Sequence, residues 1–190
     1  MAEEVKPNPV PASGLHEERK ADEPCTIVIF GASGDLTVRK LIPALYHLFI
    51  DGQMPEQFRV VGFARREKTD ESWREEMKAG IEKFSRSQKV DNAQWDSFAA
   101  NLSYHQGDLT DAEAYVGLGK KLAAFSDERL AKNLVFYLAI SPSLFGEAVD
   151  QLYKTKLLHR KEDEDQFWQR LVVEKPFGHD LQSARLLNNH

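Results

Sequence analysis

Short apolar runs alternate with longer amphipathic stretches from Cys25 onward, and that alternation limits the folds open to this chain. The strand-like runs are Thr26–Phe30 (TIVIF), Phe58–Phe63 (FRVVGF), Leu102–Gln106 (LSYHQ), Leu134–Ile140 (LVFYLAI) and Arg170–Glu174 (RLVVE). TIVIF and LVFYLAI are apolar without interruption, as strands covered on both faces of a parallel sheet must be. Between the runs lie helical patterns. Leu36–Phe49 is the first, ended by Asp51-Gly52. Trp73, Met77, Ile81 and Phe84 fall on one helical stripe. Thr110-Asp111-Ala112-Glu113 reads as a capping box ahead of a helix whose Tyr115, Leu118, Leu122 and Phe125 share a face. Ser141-Pro142 supplies an N-cap and a first-turn proline to a helix carrying Phe145, Val149 and Leu152 inward.

The order β-α-β-α-β-α-β-α-β-α predicts an α/β fold, Rossmann-like and doubly wound, with a mostly parallel sheet and helices on both faces. Right-handed crossovers favour the strand order 3-2-1-4-5. Ligands in such sheets lie beyond the carboxyl ends of the strands where the order reverses, here between the first and fourth. That rule singles out Gly31–Thr37 and Ala139–Pro142.

Composition narrows the function classes. The 190 residues carry a net charge of −5, and the first 24 hold six acidic side chains against three basic ones with four of the eight prolines. Residues 1–24 are therefore expected to form a disordered leader ahead of a single domain over 25–190. The near-neutral body lacks the footprint of a nucleic-acid binder. No apolar run approaches the ~20 residues of a membrane span, and the N-terminus has no signal-peptide core. A lone cysteine, Cys25, rules out a disulfide framework and a cysteine zinc site, and no histidine pair has ligand spacing, so no metal is expected. Cys25, His47, His105, Trp73, Trp95 and Trp168 read as packing residues, Asp35 as a first-turn acid favouring the helix dipole, and the charged 159–166 stretch as a solvated loop.

Gly31-Ala32-Ser33-Gly34-Asp35-Leu36-Thr37 joins the first strand to the first helix. Its glycines permit a tight turn and close backbone approach, while helix-start N–H groups attract a pyrophosphate. The spacing departs from G-x-G-x-x-G, and a tight turn without a ligand would use the same residues. Arg65 and Arg66 end the second strand, where an NAD-binding domain would place an acid; guanidinium forks there suit the 2′-phosphate of NADP. Glu174-Lys175-Pro176-Phe177-Gly178 ends the fifth strand, and Pro176 confines Lys175 to extended backbone. A short-chain reductase is disfavoured, since Tyr153-Lys154-Thr155-Lys156 misses the Tyr-x-x-x-Lys spacing.

Together IVIFGASGDLTVRKLIPALYHLF, VVGFARRE, FYLAISPSLF and LVVEKPFGHDLQSARLLNNH, in that order, resemble the coenzyme domain of the glucose-6-phosphate dehydrogenase family over residues 25–190. The resemblance implies oxidation of glucose 6-phosphate by NADP to 6-phosphogluconolactone, at the entry to the pentose phosphate pathway, by a cytoplasmic homo-oligomer. It implies that Gly31, Ala32, Ser33, Gly34, Asp35, Leu36, Thr37 and Val38 cradle the coenzyme and that Arg65 meets its 2′-phosphate. Gly107, Asp108 and the Tyr137–Pro142 stretch would line the adenine and nicotinamide sides. Lys175 would touch both coenzyme and sugar phosphate, and Pro176 would help position the coenzyme. Family members continue into an R-I-D-H-Y-L-G-K-E stretch and, further on, a histidine base and a β domain bearing the dimer interface. None of these occurs in the 190 residues, and His190 matches no base position, so the chain alone is expected to be an inactive fragment with no catalytic residue of its own. A helix bearing Leu181, Ala184 and Leu187 is expected to close the chain. The alternative is a stand-alone NADP-binding or sensing module.

Overall fold

The computed structural model describes residues 23–84, 90–159 and 167–174. Its strands are β1 (Cys25–Phe30), β2 (Phe58–Ala64), β3 (Leu102–Gln106), β4 (Leu134–Leu138) and β5 (Gln169–Val173). They form one parallel sheet in the order β3-β2-β1-β4-β5. The order expected from crossover handedness is the order found. The fourth strand stops at Leu138 rather than Ile140, leaving Ala139–Pro142 as a turn at the ligand edge.

The helices are α1 (Ile42–Ile50), α2 (Asp70–Phe84), α3 (Asn92–Ala99), α4 (Ala112–Ala123), α5 (Glu128–Lys132) and α6 (Phe145–Lys154). Successive side chains of β1 show how they divide. Ile29 packs with Ile42, Tyr46, Trp73, Met77, Ile81 and Phe98, from α1, α2 and α3. Val28 and Phe30 pack with Tyr115, Leu118, Leu122, Phe145 and Leu152, from α4 and α6. A strand's period of two thus feeds two separate cores, and helices cover both faces. Each fully buried large side chain contributes ~1.5–3 kcal/mol relative to exposure.

Several local expectations are corrected. The first helix is not uniform, because Thr37–Leu41 makes a π-turn before α1. α3 and α5 escaped the sequence pattern: each is short, capped by Asp91 and Asp127 respectively, and α5 has one buried residue, Leu130. The α4 cap is Asp111, whose carboxylate takes the Glu113 N–H, not Thr110. Ser141 precedes the 3₁₀ turn Pro142–Leu144, and its hydroxyl meets that of Ser143 instead of capping the helix. Phe84 ends α2 exposed, since the stripe rotates off the core at the last turn. Cys25, Trp73 and Trp95 are buried, as expected. The 1–22 part of the leader, the 160–166 stretch, Lys175, Pro176 and the closing helix lie outside the described residues.

β3 is an edge strand, and side chains blunt it. Arg74 donates from Nε and Nη2 to the Leu102 carbonyl at 2.9 and 2.6 Å. Asp70 accepts the Tyr104 N–H at 2.7 Å, and Lys121 donates to the Tyr104 carbonyl at 2.9 Å. Backbone groups that would recruit a foreign strand are thereby occupied.

His105 of β3 bonds the Ala114 carbonyl in the first turn of α4 at 2.8 Å. A carbonyl only accepts, so Nε2 carries the proton. Burial lowers the imidazole pKa from 6.5, although the Ala114 bond acts in the opposite direction. With a folded pKa below the unfolded one, the unfolded chain binds more protons between the two values. Stability is therefore expected to rise with pH up to about 6.5 and to be lost as pH falls through the lowered value. Urea midpoints of wild type and His105→Gln across this window should converge towards acid pH; parallel curves would show that His105 does not set the slope.

Candidate functional site

The turn after β1 is built by a left-handed glycine. Gly31 has φ +86°, and a Cβ there would lie 2.2 Å from the Ala139 carbonyl oxygen at the end of β4. The turn and the β4 exit are therefore in backbone contact, at the crevice where the strand order reverses. Gly31 and Ala32 N–H groups both donate to the Phe63 carbonyl, at 2.9 and 3.2 Å, which fastens the turn to β2. Gly34 N–H closes the turn on the Gly31 carbonyl at 2.8 Å.

Not every residue of Gly31–Val38 has the same task. The Thr37 side chain is buried, and its hydroxyl donates to the Gly31 carbonyl at 3.1 Å. Ala32 is buried, with its carbonyl accepting from Trp73 Nε1 at 3.0 Å. Val38 packs against Gly80 of α2, where an added Cβ would meet its Cγ1 at 2.7 Å. These three shape the turn from behind. Asp35 is exposed and lies 3.3 Å from Arg39 one turn on. The Val38 N–H reaches the Gly34 carbonyl at 3.3 Å, a bond of helical spacing. The N–H groups of the turn before it have no intrahelical acceptor, so the helix start presents its positive end to the crevice.

Trp73, expected from the sequence only to pack, and Tyr104, which the sequence reading does not single out, position the site. Gly62 of β2 leaves room for the Trp73 indole: a Cβ there would be 2.6 Å from Trp73 Cζ2 and 2.8 Å from Ala32 Cβ. Tyr104 of β3 is buried, and its hydroxyl contacts the Ala64 and Arg66 carbonyls at 3.1 and 2.6 Å. It thereby shapes the turn that carries Arg65 and Arg66. A buried indole or phenol needs a polar partner, and that requirement was the available signal. The identity of the partner was not.

Arg65 and Arg66 are exposed beyond β2. Gly107 follows β3 in close packing, with its N–H on the Ala64 carbonyl at 3.0 Å and no room for a Cβ beside Phe63 and Ala114. Asp108 accepts from the Thr110 N–H and hydroxyl at 2.9 and 2.8 Å. These bonds, with a smaller contribution from Arg65, hold its carboxyl below the usual aspartate range. Arg65 and Asp108 thus flank one end of the crevice. At the other end, the Tyr137 hydroxyl of β4 donates to the Glu174 carboxylate beyond β5. Burial and this carboxylate push the phenol up to about 12. Gly31–Val38, Arg65, Gly107, Asp108 and Tyr137 are thus arrayed along the carboxyl edge of the sheet. Lys175 is not among the described residues, but Glu174, which precedes it, stands at the same edge.

Among the described residues no group of three or more His, Cys, Asp and Glu side chains could hold a metal. No helix among them is long and apolar enough to cross a membrane.

Residues 28–190 match the family described as glucose-6-phosphate dehydrogenase, NAD binding domain. The chain belongs to the glucose-6-phosphate dehydrogenase family. A glucose-6-phosphate 1-dehydrogenase of Chlamydia muridarum is 44% identical over 165 residues, covering 86% of this chain and 32% of the relative. The glucose-6-phosphate 1-dehydrogenase of Chlamydia pneumoniae is 42% identical over 175 residues, covering 92% of this chain and 34% of its own length. The chain thus spans about a third of the length of these relatives. A solved glucose-6-phosphate dehydrogenase in complex with its substrate glucose-6-phosphate superposes with a TM-score of 0.76 at 36% identity, over 88% of this chain and 34% of that one. The crevice described above therefore sits in the dinucleotide-binding domain of a glucose-6-phosphate dehydrogenase fold.

Proposed function

We propose that these 190 residues form the NADP-binding domain of an enzyme that oxidises glucose 6-phosphate, and that they bind coenzyme without turning over sugar by themselves. The observation that carries the reading is the contact between the Gly31 turn and the β4 exit. No side chain fits at Gly31, so the turn stays tight, and the N–H groups of the helix start that follows it are left for an anion such as a pyrophosphate.

In this reading the N–H groups at the start of the first helix face the pyrophosphate, with Gly31 and Gly34 setting the backbone and Ser33, Asp35 and Leu36 lining it. Ala32, Thr37 and Val38 hold the turn from behind. Arg65 takes the adenosine 2′-phosphate through its guanidinium fork. Gly107 and Asp108 line the adenine side, and Tyr137 and the 139–142 turn line the nicotinamide side. Lys175 and Pro176 are assigned to the coenzyme and sugar-phosphate contact. NADP, when bound, supplies the hydride acceptor; the chain's own part is to bind and orient it. Homo-oligomeric assembly, a cytoplasmic location and the absence of nucleic-acid or membrane partners complete the proposal.

Titration calorimetry with NADP and NAD tests it. Wild type should bind NADP saturably and prefer it to NAD. Arg65→Ala should weaken NADP by about tenfold or more, the size of one charge-assisted contact, and leave NAD nearly unchanged. Equal losses for the two coenzymes would remove the 2′-phosphate from Arg65, and no binding by folded protein would defeat the reading. Steady NADPH production by the purified chain would refute the expected lack of turnover.

A further inference from the structure

A second concavity lies at the opposite edge of the sheet, by the amino ends of β4 and β5. It is ~16 Å of strand away from the coenzyme crevice. Its volume is about 720 Å³, inside the range of small-molecule pockets. Leu122, Leu134, Leu157 and Leu158 contribute apolar surface, and Phe167 and Trp168 are aromatic members of its wall. Lys132, Lys156 and Arg170 bring cationic side chains to the same lining.

The walls are fastened in place. Trp168 is bonded through its N–H to Asn133 Oδ1 at 3.1 Å and through its carbonyl to the Leu134 N–H at 3.1 Å. Its indole donates to the Glu23 carboxylate. The Gln169 amide spans the cleft's other wall, donating to the Leu157 carbonyl at 3.0 Å and accepting the His159 N–H at 2.9 Å. Two cations rest on the aromatic rings: Lys132 Nζ lies 4.7 Å from the Phe167 centroid, and Arg170 Cζ lies 5.5 Å from that of Trp168. Lys132 also pairs with Glu128 at 2.8 Å. Lys156 and Arg170 make no ion pair with a carboxylate among the described residues.

Lys156 is also strained. It is the one non-glycine with positive φ among the described residues, at +58°. The bonds Leu157 N–H to Leu152 and Lys156 N–H to Tyr153, at 2.9 and 3.0 Å, make it the left-handed residue that ends α6, a position glycine ordinarily fills. Folding alone would be better served by glycine. Strain held by a cation in the lining of a largely apolar cleft is the kind of feature that gathers at ligand clamps.

We propose that this cleft binds a small amphipathic anion, with its apolar body against the leucines and Trp168 and its carboxylate or phosphate head between Lys156 and Arg170. The proposal rests on the cleft alone, and only the NADP block in its test assumes the coenzyme reading.

The test uses the fluorescent anion anilinonaphthalene sulfonate on the purified chain with NADP present at saturation, then competition by octanoate and by octyl phosphate. Single-site binding is expected, displaced by at least one competitor; the better one identifies the head. Lys156→Gly should bind the dye about tenfold more weakly, as should Arg170→Ala. Lys156→Gly should at the same time melt no lower than wild type, so its loss of binding cannot come from a damaged fold. Unchanged affinity in both variants, or failure of both competitors, overturns the proposal.

Discussion

Gly31→Ala is expected to abolish coenzyme binding and to destabilise the chain by about 3 kcal/mol or more. Two costs add. A side chain at φ +86° adopts a backbone conformation that costs an L-residue ~1–2 kcal/mol. Its Cβ would also stand 2.2 Å from the Ala139 carbonyl oxygen, a backbone atom that moves only if β4 moves. Overpacking of this kind costs a further ~1–3 kcal/mol. The two strands that would have to part are the hydrogen-bonded neighbours β1 and β4, so relief at Gly31 opens the crevice itself. Urea unfolding of the variant, with NADP titration under conditions where it is still folded, measures both effects. A stable variant with wild-type affinity would show that the turn does not form the cradle.

The second large effect is expected at Trp73, which supports the Gly31 turn from behind through the Ala32 carbonyl and touches no ligand in the proposed site. Trp73→Ala removes a fully buried indole and should cost ~3–5 kcal/mol. Trp73→Phe is more informative. It keeps much of the ring but deletes the 3.0 Å bond to the Ala32 carbonyl, leaving that buried acceptor without its partner. The expected cost is ~1–3 kcal/mol, together with weaker NADP binding because the Gly31 turn loses its support from α2. Weaker NADP binding by Trp73→Phe, measured where the variant is fully folded, supports a positioning role. Full affinity in a destabilised protein would confine Trp73 to packing.

How far the primary structure reached can be argued from these same residues. The β-α alternation and apolar continuity of TIVIF were enough to place the chain in a parallel, doubly wound sheet, and the crossover rule then supplied its strand order. The glycine-rich turn and the Arg65-Arg66 pair were visible because chain neighbours carry their chemistry. α3 and α5 were not visible: helices of eight and five residues are too short for a periodic signal.

Within the crevice, local chemistry and long-range packing divide the work. Gly31, Gly34 and the helix start could be read from spacing, since backbone conformation is a property of a few consecutive residues. That Ala32, Thr37 and Val38 face inward could not, because it depends on Trp73, Gly31 and Gly80 meeting them in space. The same holds for Tyr104, which shapes the arginine turn from 38 residues away, and for Lys156, whose strain and cleft exist only once α6 has ended against β5. Sequence alone determined the sheet, its order and the edge at which a dinucleotide would sit. Tertiary structure decided which side chains support that edge and which are left free to touch a ligand, because hydrogen bonding and close packing are set by distances in space that the order of residues does not encode.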